Sequence, residues 1–264
     1  MTNRLYCPDS GNISLAWALL FEKLSSTSGG ECGPVSVVVD EFDANGLPIE
    51  CRDIRRPLDA ALLQLTGKDI EDVAATIFPF SLWNPKVADG GQHVFERYGR
   101  IWPRLKKRAR QNAKGNYFQR LVNFEDSDQF NAGTNQLAKI ISNYKKTHRR
   151  SALQATIFDP HRDLAPTPMA GFPCLQQVAF SPTSKGLVVT GYYVLQYIFE
   201  RGYGNYLGLC RLAAFMAAQF DIPLVKVVTM ISFATRSDDK LDKFSLKALQ
   251  LNLHSVLSSE KGIR

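Results

Sequence analysis

The chain has no CxxC pair and no even set of cysteines: Cys7, Cys32, Cys51, Cys174 and Cys210 are scattered and odd in number. That sets aside a disulfide framework and a zinc site, and free thiols are expected. No apolar run approaches the roughly 20 residues that a membrane span requires. The start, Met1-Thr2-Asn3-Arg4-Leu5-Tyr6-Cys7, lacks a signal-peptide pattern, and a cytoplasmic protein with no membrane partner is the expectation. Internal repeats, low-complexity tracts and linkers are also missing. Residues 1–264 are therefore expected to form one domain, long enough to bury a sizeable core. At 45% hydrophobic and 22% charged residues, the disordered and fibrous classes drop out.

Acidic residues are missing from one stretch. From Arg97 to Arg120 there are nine cations (Arg97, Arg100, Arg104, Lys106, Lys107, Arg108, Arg110, Lys114 and Arg120) and no Asp or Glu. Subtracting those nine from the net +7 leaves −2, so the basic character belongs to this segment. With Tyr98, Trp102, Tyr117 and Phe118 interleaved, the segment suits a nucleic acid, phosphates on the cations and bases on the rings. A solvated basic helix accounts for the same charges.

Hydrophobic periodicity predicts helices over 14–24, with Ser14 as N-cap, over 57–65 and 69–77 around Gly67, over 136–144, and over 245–257. Strands are expected at 35–42, 176–180, 186–193 and 226–233, and an Asn45-Gly46 hairpin should pair 47–51 back on the first. Cys210 falls inside a helical pattern and is expected in the core.

Two segments carry a chemical suggestion. Gly171-Phe172-Pro173-Cys174 leads into an alternating strand, and Gly204-Asn205-Tyr206-Leu207-Gly208-Leu209 opens the apolar helix Leu212-Ala213-Ala214-Phe215-Met216-Ala217-Ala218-Gln219. Cys174 and Asn205 lie 31 positions apart. This pattern resembles the thymidylate synthase superfamily, which includes the nucleotide hydroxymethylases. The resemblance covers most of the chain loosely and 149–209 closely. It implies an α/β (α+β), three-layer fold whose large mixed sheet forms a homodimer interface, and a transferase that uses 5,10-methylenetetrahydrofolate.

Residue by residue, the resemblance makes Cys174 the nucleophile and Asn205 the reader of the pyrimidine. Arg149 and Arg150, entering a strand, would hold phosphate across the dimer, where a planar guanidinium grips it with two hydrogen bonds. Gln177 joins the substrate-binding set. Asp72 stands where the family uses a catalytic Glu, and Tyr117, in Gly115-Asn116-Tyr117-Phe118-Gln119-Arg120 where the family has its Tyr-Gly-x-Gln-Trp-Arg block, is a further catalytic candidate. Trp102 matches an Ile-Trp pair whose indole lines the folate pocket. Plainer roles fit some of them: Asp72 as a solvated first-turn acid, Trp102 as a core aromatic, Arg149 and Arg150 as exposed strand-end cations.

Addition of a thiolate to C6 makes C5 of a uracil ring nucleophilic. The thiol must then ionise near neutral pH, with Arg149, Arg150 or a cation from 97–120 supplying the field. Asn205 offers one donor and one acceptor to O4 and N3, which favours a uracil-type base. The family's phosphate-binding Tyr-Gln-Arg-Ser is replaced by Tyr192-Tyr193-Val194-Leu195, with Tyr197 at its Asp. Its sugar-binding Asp-x-His-x-Tyr is replaced by Phe233-Ala234-Thr235-Arg236-Ser237, and the loop Gly29-Gly30-Glu31-Cys32-Gly33 brings no arginine. Each lost charged contact forfeits on the order of 1.5–3 kcal/mol. Ordinary dUMP is therefore not the expected substrate, and a non-standard pyrimidine nucleotide is. A nucleic-acid-binding or catalytically inactive homologue on the same scaffold stays open.

Overall fold

The structure is a computed structural model that describes residues 5–87, 89–125, 132–147, 149–164, 172–237 and 243–261. His148 and the 165–171 connection, expected to be remodelled, lie outside the described residues. In chain order the elements are α1 (Ile13–Ser25), β1 (Glu31–Cys32), β2 (Val35–Val39), α2 (Arg52–Thr66), α3 (Ile70–Ala74), α4 (Gln92–Arg108), α5 (Tyr117–Val122), α6 (Gln136–Thr147), β3 (Gln154–Thr156), α7 (Pro160–Asp163), β4 (Leu175–Thr183), β5 (Gly186–Tyr197), α8 (Tyr203–Phe220), β6 (Leu224–Thr235) and α9 (Lys243–Lys261). No helix among the described residues is long and apolar enough to cross a membrane.

Local chemistry explains several boundaries that differ from expectation. Asn12, not Ser14, caps α1: its Oδ1 accepts from the amides of Ser14 and Leu15. The Ser14 hydroxyl is buried instead, 2.7 Å from that of Tyr203, and accepts from the Cys51 amide. Gly67 ends α2 at a φ of 66°, which a glycine adopts without strain. The Asn45-Gly46 turn forms, but the expected 47–51 strand is reduced to a bridge from Phe42 to Pro48. Pro48 has no amide to give a ladder, and the Asp43 carboxylate takes the amides of Asn45 and Leu47.

The fold is α+β, built on a mixed open sheet. Strand order is β1-β6-β5-β4-β3, with β2 also paired to β6; β5 and β6 run parallel and the other pairs antiparallel. One face is buried: Leu187, Val189 and Tyr193 of β5 and Val227 and Ile231 of β6 are at most 1% exposed. Helix α8, apolar nearly all round, lies against β5 and β6, and α1 against β2. Each aliphatic side chain so buried contributes about 1.5–3 kcal/mol before entropy is subtracted. The opposite face carries Gln177, Tyr192 and Val194, which are exposed.

The strict two-residue alternation fails at one end of this sheet. In β5 the buried positions step from Tyr193 to Gln196, and in β6 from Ile231 to Ala234; these residues are register partners. The pairing of β4 with β5 is irregular between Leu175 and Gln177. β5 and β6 thus change face together while their pairing stays in register, and the irregularity in β4 is of the bulge kind that re-aims side chains. Cys174 immediately precedes β4 at this end of the sheet.

Beneath the sheet end, α5 is fixed by an ion pair that composition does not reveal. Arg120, 0% exposed, makes two hydrogen bonds to Asp163 on α7 (2.5 and 2.9 Å) and one to the Ile157 carbonyl. Arg120 is therefore no part of a surface basic patch, contrary to the grouping made from sequence.

Candidate active site

Cys174 is half-buried, and its carbonyl accepts from the Val194 amide at 3.2 Å, which ties it to β5. Tyr117 is the first residue of α5. That helix starts where it does because the Asn116 side chain accepts from the Gln119 amide and from the buried Tyr98 hydroxyl at 2.8 Å. The Phe118 amide donates to the Thr76 carbonyl, pinning the same turn. So held, the Tyr117 hydroxyl meets the backbone amides of Cys174 and Leu175. Burial and the neighbouring thiol push this phenol well above its ordinary range, although the two amides and Arg201 act in the opposite sense. It is a neutral donor at physiological pH.

The field at the thiol comes from an unexpected cation. Burial pushes Cys174 up and Arg201 pulls it down; burial wins. Arg201 sits in a single π turn, Ile198–Gly202, between β5 and α8, half-buried and in no ion pair among the described residues. The expectation that Arg149, Arg150 or the 97–120 cations would supply this field is corrected: Arg149 and Arg150 are exposed at a 3-10 turn ahead of β3, not on the strand itself. The resting thiol is also protonated near neutral pH, not ionised as the chemistry first suggested. Alkylation of Cys174 by iodoacetamide is expected to stay slow until the pH exceeds that of an ordinary thiol, and Arg201→Leu should move the midpoint higher still. Peptide mass mapping across pH 6–11 measures both; an unchanged midpoint in Arg201→Leu would remove the arginine from the site.

Asn205 is the third residue of α8 and only 4% exposed. The preceding turn does not open the helix as expected, because the helix already includes Tyr203. Gly204 sets the depth of this end: a methyl group there would come within 2.5 Å of Val73 Cβ and 2.9 Å of the Ile70 carbonyl, so only hydrogen permits α8 to touch α3. Among the described residues the Asn205 amide makes no hydrogen bond.

The remaining candidates fall elsewhere. Asp72 is exposed and closes the cap of α3, its carboxylate taking the Asp69 amide while Asp69 takes that of Asp72. Its neighbour Glu71 holds the ion pairs, with Arg55 and Arg211: burial alone would raise its carboxyl, but these partners keep it at about 2. Gln177 emerges on the uncovered sheet face, bonded to Gln154, because buried Val178 fixes the alternation. Trp102 is 2% exposed and stacked on Tyr98 in the core, so it presents no face to a folate. Tyr98 and Phe118 are 0% exposed and packed edge to face, so with Trp102 three of the four aromatics expected to stack on bases are inside, and Tyr117 is half-buried.

Sequence reasoning missed Arg201, Tyr193, Gln196 and Tyr206. The Tyr193 hydroxyl and Gln196 Nε2 are buried and bond to nothing among the described residues, whereas Gln196 Oε1 accepts from the Tyr206 hydroxyl at 2.8 Å. No sequence signal singles out Arg201 or Gln196, because Glu200 and Asn205 share the same stretch from β5 into α8. The sequence matches no family model and no curated protein.

Proposed function

We propose that this protein transfers a one-carbon unit to C5 of a uracil-type base in a non-standard pyrimidine nucleotide, through a covalent adduct on Cys174, as the resemblance to thymidylate synthases implies. The observation that carries it is the meeting of Cys174 and Tyr117, 57 residues apart in sequence, with Arg201 acting on both. The Cys174 thiolate, formed by loss of the thiol proton to solvent, would add to C6, the C5–C6 electron pair passing to O4 as an enolate, with C5 becoming nucleophilic. Once C5 has gained its new bond and lost its proton, elimination of the thiolate restores the double bond. Tyr117, a neutral donor, suits a proton carrier at this ring edge.

Methylenetetrahydrofolate is the donor the resemblance implies, but Trp102, the residue expected to line its pocket, is buried, so no step is derived through it. A second copy of the chain would find apolar surface on the uncovered sheet face at Tyr192 and Val194, 41% and 43% exposed. Exposed Arg149 and Arg150 would then be the residues available to reach a partner's phosphate. The nucleic-acid alternative retains the surface cations of α4 but loses three of its four stacking rings, Tyr98, Trp102 and Phe118.

Release of tritium from C5-labelled uracil nucleotides, with and without methylenetetrahydrofolate, tests the assignment. Thiol addition and reversal alone should exchange C5 hydrogen. No release from any uracil nucleotide or nucleoside would overturn it and leave the nucleic-acid-binding and inactive-homologue alternatives.

A further inference from the structure

Two cations share the Cys174 end of the molecule, and no acid is bound to either. Arg201 acts on the thiol and on Tyr117, and it acts on Lys68 as well. Both side chains are half-buried, and among the described residues Lys68, like Arg201, is in no ion pair.

Backbone packing brings the two together. Glycine at 204 lets the start of α8 press on α3, where a methyl group would come within 2.9 Å of the Ile70 carbonyl. Arg201 lies three residues before that contact, and Lys68 two residues before Ile70. Lys68 is fixed because the chain turns at Gly67 and Thr66 Oγ1 accepts the Lys68 amide at 3.2 Å. Arg201 is fixed because its π turn is tied at the start: the Ile198 carbonyl accepts from the Trp17 indole at 2.9 Å, and the Phe199 amide donates to the Arg236 carbonyl at 3.0 Å.

Like charges kept close and half-buried repel each other until an anion joins them. Burial, and then Arg201, push the Lys68 ammonium below its ordinary range. Exposed Asp72 acts in the opposite sense, but its carboxylate takes the Asp69 amide and forms no ion pair among the described residues. An independent sign that a polar ligand enters comes from β5. Tyr193 is the register partner of Leu175, next to the thiol, and its hydroxyl is buried, unpaired among the described residues, and within electrostatic reach of Cys174 and Tyr117. Buried hydroxyls are rarely left so.

We propose that Lys68 and Arg201 form an anion clamp beside Cys174 that takes a phosphate monoester. Two positive charges match a phosphate dianion, whereas a carboxylate would leave one of them unanswered. The planar guanidinium can grip two phosphate oxygens while the ammonium supplies a point charge. The phosphate is then held within one subunit, without Arg149 or Arg150 reaching across a dimer. That the phosphate belongs to a nucleotide rests on the function proposed above; the clamp itself does not.

The test compares alkylation of Cys174 by anionic iodoacetate and by neutral iodoacetamide in the full chain, mapped by peptide mass, with exposed Cys7 as the internal reference. The ratio of iodoacetate to iodoacetamide rates should be roughly tenfold higher at Cys174 than at Cys7, the scale on which a cationic cleft enriches anions. Inorganic phosphate should slow alkylation of Cys174 in a saturable way and leave Cys7 untouched. Lys68→Met should bring the ratio towards that of Cys7 and abolish phosphate protection, whereas Lys68→Arg, which keeps the charge, should retain both. If uridine 5′-monophosphate protects at lower concentration than inorganic phosphate and uridine, the clamp holds and its phosphate is a nucleotide's; if it matches inorganic phosphate, the clamp holds and its ligand is free phosphate. Equal ratios at Cys174 and Cys7, or phosphate protection unchanged in Lys68→Met, would overturn the inference. Lys68-dependent protection without any tritium release would keep the clamp and sink the proposed transfer, and release without phosphate protection would do the reverse.

Discussion

Cys174→Ser is expected to abolish tritium release from C5-labelled uracil compounds, by on the order of 10⁴-fold or more, the scale seen when an enzymatic nucleophile is removed. A serine hydroxyl is far less acidic than a thiol and adds poorly to C6, whereas its size is nearly the same. Cys174 is half-buried and makes no hydrogen bond through sulfur among the described residues, so the variant should melt close to the wild type. Loss of release with unchanged melting would separate chemistry from folding. Tyr117→Phe should fall between the two, by roughly 10²-fold, because the ring still packs and only the proton-bearing atom is gone. A serine variant as active as the wild type would move the chemistry to another residue.

Asp163→Ala should have the largest effect on stability. It leaves the Arg120 guanidinium at 0% exposure without its carboxylate, and breaking one side of a buried pair costs about 3–5 kcal/mol. At roughly 2–4 °C per kcal/mol for domains near this size, the melting temperature should fall by about 10 °C. The double variant Arg120→Met, Asp163→Leu should recover most of that loss, because an apolar pair of similar volume needs no compensation. Thermal melts of the three variants decide it; a single variant as stable as the wild type would mean that water reaches Arg120. Arg120 lies one turn after Tyr117 on α5, so variants that still fold should also lose alignment of the Tyr117 hydroxyl on the Cys174 amide.

The parts of the fold legible in the sequence are those with clean periodicity. β4, β5, β6 and the helices α2, α6 and α9 lie where the hydrophobic spacing puts them, longer at their ends because flanking polar residues can still pair a ladder or finish a turn. Site residues were harder to read. Cys174 and Tyr117 could be nominated because their neighbours resemble a known pattern, but Arg201 and Gln196 could not. Gln196 is buried because β5 and β6 shift their buried positions together, which no single-strand periodicity encodes. Arg201 reaches the thiol only through a π turn, a local geometry with no reliable sequence signature. The aromatic residues of 97–120 misled for the opposite reason: spacing among cations suggested a surface, yet Tyr98, Trp102 and Phe118 follow the buried stripe of α4 and α5.

Intact-protein mass spectrometry gives the most direct test of a pyrimidine adduct on Cys174. Fluorine at C5 cannot leave as a proton does, so an adduct formed on a 5-fluorouracil ring should persist. The full chain would be incubated with 5-fluorouridine and 5-fluoro-2′-deoxyuridine, as nucleosides and 5′-monophosphates, with methylenetetrahydrofolate, at millimolar concentration to offset the missing phosphate and sugar contacts. A stable mass gain that includes the nucleoside or nucleotide, mapped to Cys174 and missing from Cys174→Ser, is the expected result. An unchanged mass in the wild type, or an equal gain in the serine variant, would contradict it.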